Sequence, residues 1–145
     1  MTEEQTIAAI IEPAIWKDFV GEDAEGPYLI AGKCARCGLV TLGVRKICPE
    51  CWQEGTMRAV KAGRRGILYS FTVLHQMAAG FEVPAAVGYV DLDSGVRVFA
   101  HLDNEPSTLR VGSQLALTLA PLRAGPDGKQ LIGPRYRAAA EEAQP

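Results

Sequence analysis

A chain of 145 residues with 48% hydrophobic and 22% charged side chains has the composition of a globular protein with a real core, sized for one average domain or for a small metal-stapled module joined to a barrel. No apolar stretch is long enough to cross a bilayer and the first residues lack a secretory-signal pattern, so no membrane partner is expected and the expected compartment is the cytoplasm. The formal net charge of −2 argues against nucleic acid as a partner, yet it conceals a partition: residues 1–30 carry seven carboxylates against Lys17 alone, and residues 33–65 carry eight cations against Glu50 and Glu54.

Residues 1–27 read as an N-terminal helical segment. Ile7, Ile10, Ile11, Ile15 and Phe19 fall at helix-compatible spacings, but Pro13 is tolerated only in a first turn. The pattern therefore predicts a helix that begins near Pro13, carries Ile15, Trp16 and Phe19, and ends at Gly21. A loop through Gly26 and Pro27 then leads to a short strand, Tyr28-Leu29-Ile30.

Residues 28–62 hold all four cysteines, Cys34, Cys37, Cys48 and Cys51, in a C-x2-C-x10-C-x2-C pattern. Two knuckles that each offer a pair of thiolates can close a tetrahedron around Zn2+ with no position left for water, which is the arrangement of a structural, rubredoxin-like zinc ribbon. Disulfides would need an oxidising compartment, and a redox dithiol would need only one of the two CxxC pairs. Iron fits the same four sulfurs and no feature of the sequence selects it, so zinc is the expected metal. Gly38 can take the left-handed backbone that aims amides at sulfur. Trp52 occupies the corresponding place after Cys51, where a second glycine would be usual, so that knuckle is expected to bend differently or to use the indole as hydrophobic cover. Part of the ribbon's basic charge offsets the net negative charge that four thiolates leave on zinc.

Residues 63–137 read as a small five-stranded OB-fold barrel. The first strand, from Gly66, has period two, and Ile67, Tyr69, Phe71 and Val73 are assigned to its core face because aliphatic neighbours share that face with the aromatics. Ala85 to Leu92 and Val96 to Leu102 form a hairpin about the Asp93-Ser94-Gly95 turn. Gln114 to Leu119 supplies a fourth strand and Gln130 to Ile132 a fifth, and residues 138–145 form a flexible tail. The fold class is thus mainly β: an N-terminal helix, a zinc ribbon and a barrel. His75 and His101 lack a nucleophile or carboxylate at motif spacing and read as surface or interface residues, with no catalytic residue expected.

The order of Ile15-Trp16, Cys34-Ala35-Arg36-Cys37-Gly38, Cys48-Pro49-Glu50-Cys51, the strand Gly66-Ile67-Leu68-Tyr69-Ser70-Phe71-Thr72-Val73 and Pro84 resembles the zinc-ribbon plus OB-fold proteins associated with acyl-CoA metabolism, a domain-of-unknown-function family. The similarity runs from about Pro13 to the last strand. It implies a non-catalytic partner of a thiolase-fold enzyme, or of a related aldolase or hydratase, that helps hold or channel a coenzyme A thioester. For such a ligand, Arg64 and Arg65, set between Gly63 and Gly66, are the candidate phosphate contacts, because a guanidinium fork matches two phosphate oxygens at once. The rival class is a single-stranded nucleic-acid-binding module, which both zinc ribbons and OB-folds serve, but an acidic sequence with a pI near 5.7 fits it poorly.

Overall fold

The structure, a computed structural model, describes residues 17–103 and 105–139. The predicted helix lies partly outside them. Within them Lys17–Phe19 makes one 3-10 turn and Val20–Asp23 is already a strand, β1, so the helical expectation for this stretch is corrected: no α-helix occurs among the described residues. The reason is a hairpin. β1 pairs antiparallel with β2, Gly26–Cys34, through Val20↔Leu29 to Asp23↔Gly26. The Asp23 carboxylate closes the turn by accepting the Glu25 amide at 2.8 Å. Gly21, expected to end a helix, instead lies where a Cβ would run into the Tyr28 ring.

β2 is the spine of the ribbon. One edge pairs with β1 and then with β3, Val40–Leu42, while the other pairs with β4, Met57–Gly63, along Leu29↔Gly63 to Cys34↔Met57. The basic stretch after the cysteines is therefore mostly strand, and only Arg64 separates β4 from β5, Arg65–Leu74.

The remaining strands are β6, Ala85–Leu92, β7, Arg97–Leu102, β8, Gln114–Ala124, and β9, Gln130–Ala138. They close with β5 into a barrel in the order β5-β6-β7-β9-β8, the five-stranded OB-like barrel expected from the sequence. All pairings are antiparallel except β7 with β9, where His101↔Arg135 and Leu102↔Tyr136 seal the cylinder. Strand β7 alternates cleanly, with Val98, Ala100 and Leu102 inside and Arg97 and Phe99 outside. Gly88 is required where β6 crosses β5, because a Cβ there would strike the Ser70 carbonyl and Phe71 backbone.

Ribbon and barrel share one core. Leu29, Ala31 and Ala62 of the ribbon sheet pack in the same cluster as Leu68, Val90, Val98, Leu115 and Tyr136 of the barrel, with Val40 and Leu42 against its margin. Burying a leucine such as Leu29 or Leu68 contributes roughly 1.5–3 kcal/mol, so this shared cluster fixes the ribbon on the barrel without help from a metal. A second, small cluster of Cys34, Cys48 and Met57, edged by Leu39, lies at the far end of the ribbon.

The β5 face assignment is overturned. Gly66 and Leu68 point inward, while Ile67 and Tyr69 are exposed. The pairing with β6 then shifts register between Leu68 and Ser70, and the irregularity restores Phe71 to the core side.

Candidate metal centre

Both knuckles are built to one pattern. In the first, the Cys34 amide donates to the Leu39 carbonyl and the Gly38 amide to the Cys34 carbonyl, each at 2.9 Å. In the second, Cys48 donates to Gln53 and Trp52 to Cys48, again at 2.9 Å. The β2–β4 ladder brings the knuckles together, since Cys34 ends β2 opposite Met57.

The four sulfurs lie within 4.8 Å of one another. Cys34 Sγ is 3.7 Å from Cys51 Sγ and Cys37 Sγ is 3.5 Å from Cys48 Sγ. A tetrahedron with Zn–S bonds of about 2.3 Å has edges of about 3.8 Å, so the spacing fits the metal and is far too long for disulfide bonds. The thiols are also graded. A hydrogen bond from Thr56 and the Cys37 amide hold Cys34 down to about 5, and the Cys51 amide lowers Cys48. The Leu39 amide favours the Cys37 thiolate, yet burial and the neighbouring sulfurs outweigh it and push that thiol up to about 12; Cys51 is raised by burial and its neighbouring sulfurs in the same way, against the Gln53 amide. Four such sulfurs ionise together only around a cation, so the donor set suits one thiophilic metal ion of structural type.

Trp52 stands apart from this logic. The knuckle pattern demands positive φ at the fourth residue after its first cysteine; Gly38 meets it at 85° and Trp52 at 63°. A left-handed backbone costs a non-glycine residue about 1–2 kcal/mol. The indole is nevertheless 78% exposed, so the expectation that it covers the metal site is not met.

Of the two arginines singled out in the sequence, Arg64 is engaged. Its Nη2 lies 2.6 Å from Asp23 Oδ1, Lys61 Nζ lies 2.7 Å from Oδ2, and both cations lie near the Tyr28 ring. Lys61 and Arg64 thus share one carboxylate at the ribbon–barrel junction, and Arg65 follows on β5. The Lys61 hydrogen bond, then the Glu25 amide and Arg64, hold the Asp23 carboxyl far below the ordinary carboxylate range.

Sequence reasoning missed the barrel's outer face. Tyr69 is 50% exposed, Tyr89 44% and Phe99 50%, on three adjacent strands. Tyr89 and Phe99 meet edge to face at 5.1 Å, and Arg97 lies 3.5 Å over the Tyr69 ring while gripping Asp91 with two hydrogen bonds. The signal lay in the alternation of β7, which puts Phe99 outside once Val98 and Ala100 are inside.

Between the β5–β6 loop, the end of β7 and the β8–β9 hairpin lies a cavity of about 470 Å³. Phe81 stacks on His101 with centroids 5.5 Å apart, and Arg123 lies 6.0 Å over the Phe81 ring. Arg135 pairs with Asp103 at 3.3 Å, and burial followed by the Arg135 charge lowers the His101 pKa.

Comparison with known proteins agrees with this geometry. Residues 59–120 match the family model described as ChsH2, C-terminal OB-fold domain. The chain is 36% identical over 115 residues to the benzoylsuccinyl-CoA thiolase subunit BbsA of Thauera aromatica, covering 79% of each chain. It is 29% identical over 113 residues to a DUF35 domain-containing scaffold protein of Methanothermobacter thermautotrophicus, covering 75% of this chain and 85% of that one. A solved structure titled Ltp2-ChsH2(DUF35) aldolase superposes with a TM-score of 0.62 at 29% identity, covering 78% of this chain and 86% of the other. The chain belongs to the family of OB-fold DUF35 proteins that includes the benzoylsuccinyl-CoA thiolase subunit BbsA.

Proposed function

We propose that this protein is a non-catalytic accessory subunit of a cytoplasmic, thiolase-type acyl-CoA enzyme complex, docking on the catalytic subunit and helping to bind or channel the coenzyme A thioester. The observation that carries the reading is the outer face of the barrel. Tyr69, Tyr89, Phe99 and Arg97 are contiguous, and tyrosine and arginine dominate the energetic centres of protein interfaces. Relatives named as thiolase subunits supply the class of partner.

The ribbon, holding one structural zinc through Cys34, Cys37, Cys48 and Cys51, presents its tip at a fixed angle to that face. Arg64 and Arg65 receive the coenzyme A phosphates, with Lys61 beside Arg64 on the Asp23 carboxylate. The cavity beside Phe81 and His101 borders the path of the pantetheine arm. Covering the thioester raises its effective concentration at the catalytic subunit and excludes water, and Claisen chemistry stays with the catalytic subunit's own residues.

Co-purification with the thiolase-fold subunit of the same organism tests this. The expected result is a stable hetero-oligomer, with no thiolytic turnover by the isolated chain; thiolysis by the isolated chain overturns the reading. The exposed aromatics also favour a second reading, base stacking in single-stranded nucleic acid. Against it, Arg97 is neutralised by Asp91 on the same face. Salt-sensitive binding of a single-stranded oligonucleotide would favour that reading instead.

A further inference from the structure

We infer that Trp52 is an anchor by which the tip of the ribbon seats in an apolar, acid-rimmed pocket on the catalytic subunit; this rests on the docking function above and adds a second contact surface to it. Three observations meet at this residue. The two knuckles share one hydrogen-bond pattern, and the position that glycine fills without strain in the first is filled in the second by the bulkiest side chain, at φ 63°. A strained backbone persists where its side chain serves something other than the fold. That side chain makes almost no use of the fold, being 78% exposed, and exposed Val44 and Ile47 precede it on the same tip.

Charge identifies the occupant. Lys33, Arg36, Arg45, Lys46 and Arg58 are exposed around the knuckles, and none forms an ion pair with a carboxylate among the described residues; Arg58 donates only to the carbonyls of Gly55 and Met57. Glu50 and Glu54, exposed on either side of Trp52 in the sequence, leave these five cations in excess, and a large apolar side chain inside a net cationic rim complements an apolar pocket with an acidic rim. Nucleic acid is a poorer fit, because strand binding uses successive aromatic faces along a cationic groove, whereas the tip offers a single indole.

The test compares wild type with Trp52→Gly and Trp52→Asn, the latter tolerating the same backbone without glycine's freedom in the unfolded chain. Each variant is loaded with one zinc, its unfolding midpoint recorded, and its affinity for the purified thiolase-fold subunit of the same organism measured by calorimetry. The expected result is an unfolding midpoint equal to or above that of wild type, with affinity at least about thirtyfold weaker. A midpoint several degrees lower in both variants overturns the inference, because Trp52 would then be part of the fold. So does affinity within about twofold of wild type, with the docking function left standing. If wild type itself binds no thiolase-fold subunit, the docking function fails and the inference with it. Dimerisation of the isolated wild type that is lost in both variants, or Trp52-dependent binding of a thymidine oligomer, assigns the indole to another occupant and likewise overturns it.

Discussion

Tyr136 is the largest side chain fully enclosed in the shared core, and its hydroxyl has no hydrogen-bond partner among the described residues. Burial pushes the phenol's pKa up. An unsatisfied buried hydroxyl costs about 1–3 kcal/mol, so Tyr136→Phe, which keeps the ring and removes the orphan atom, is expected to match or exceed wild-type stability in urea unfolding; a clear loss would mean that the hydroxyl has a partner. Asp23 makes the opposite argument. Its folded-state pKa is depressed, so the stability it contributes is fully present above the unfolded carboxylate value of about 4 and is lost as pH falls through the folded value. The difference in unfolding midpoint between wild type and Asp23→Asn should therefore stay constant from neutral pH to about pH 5 and shrink below it, acid release of the metal being common to both chains. A difference independent of pH would separate Asp23 from Lys61 and Arg64. The opposed charges of residues 1–30 and 33–65 pointed to pairing between the two segments, but which residues meet was not legible, because an ion pair across 38 and 41 residues depends on strand register rather than on any local pattern.

Among the elements, those with a strong periodic or spacing signal were readable. The cysteine pattern specified its own cluster, and β6 runs from Ala85 to Leu92 as alternation and the following turn predicted. β5 was found but faced the wrong way: Ile67 and Tyr69 share a phase with Phe71 and Val73 in the sequence, and only the register shift near Ser70 separates them in space. β1 was missed because Val20-Gly21-Glu22-Asp23 has little strand propensity of its own and owes its form to pairing with β2. A metal held by the four cysteines is expected to act locally, because the shared core already joins ribbon and barrel. Removing zinc with a chelator, or replacing Cys34 by serine, should abolish hydrogen-exchange protection of the Gly38 and Trp52 amides while Val90 and Val98 in the barrel stay protected. Unchanged protection of the knuckles in metal-free protein would remove the structural role assigned to the ion.

At the scale of the whole molecule, one core welds a cysteine-tipped ribbon to a barrel, and each unit turns an aromatic surface outward. No helix among the described residues is long and apolar enough to cross a membrane. An exposed arrangement of Tyr69, Tyr89, Phe99 and Arg97 contributes little to the fold, so Tyr69→Ala with Phe99→Ala should leave the thermal midpoint within a few degrees of wild type and weaken complex formation at least about tenfold. Of the barrel's outer aromatics, Tyr69 was hidden from sequence analysis by the phase shift that misplaced β5, whereas the alternation of β7 carried a signal for Phe99. The measurement that bears most directly on the account is size-exclusion chromatography with light scattering of the zinc-loaded chain mixed with the thiolase-fold subunit of its own organism. The account predicts a stable hetero-oligomer whose thiolytic activity is absent from the isolated chain. Two separate peaks with full activity in the thiolase-fold subunit alone would contradict it.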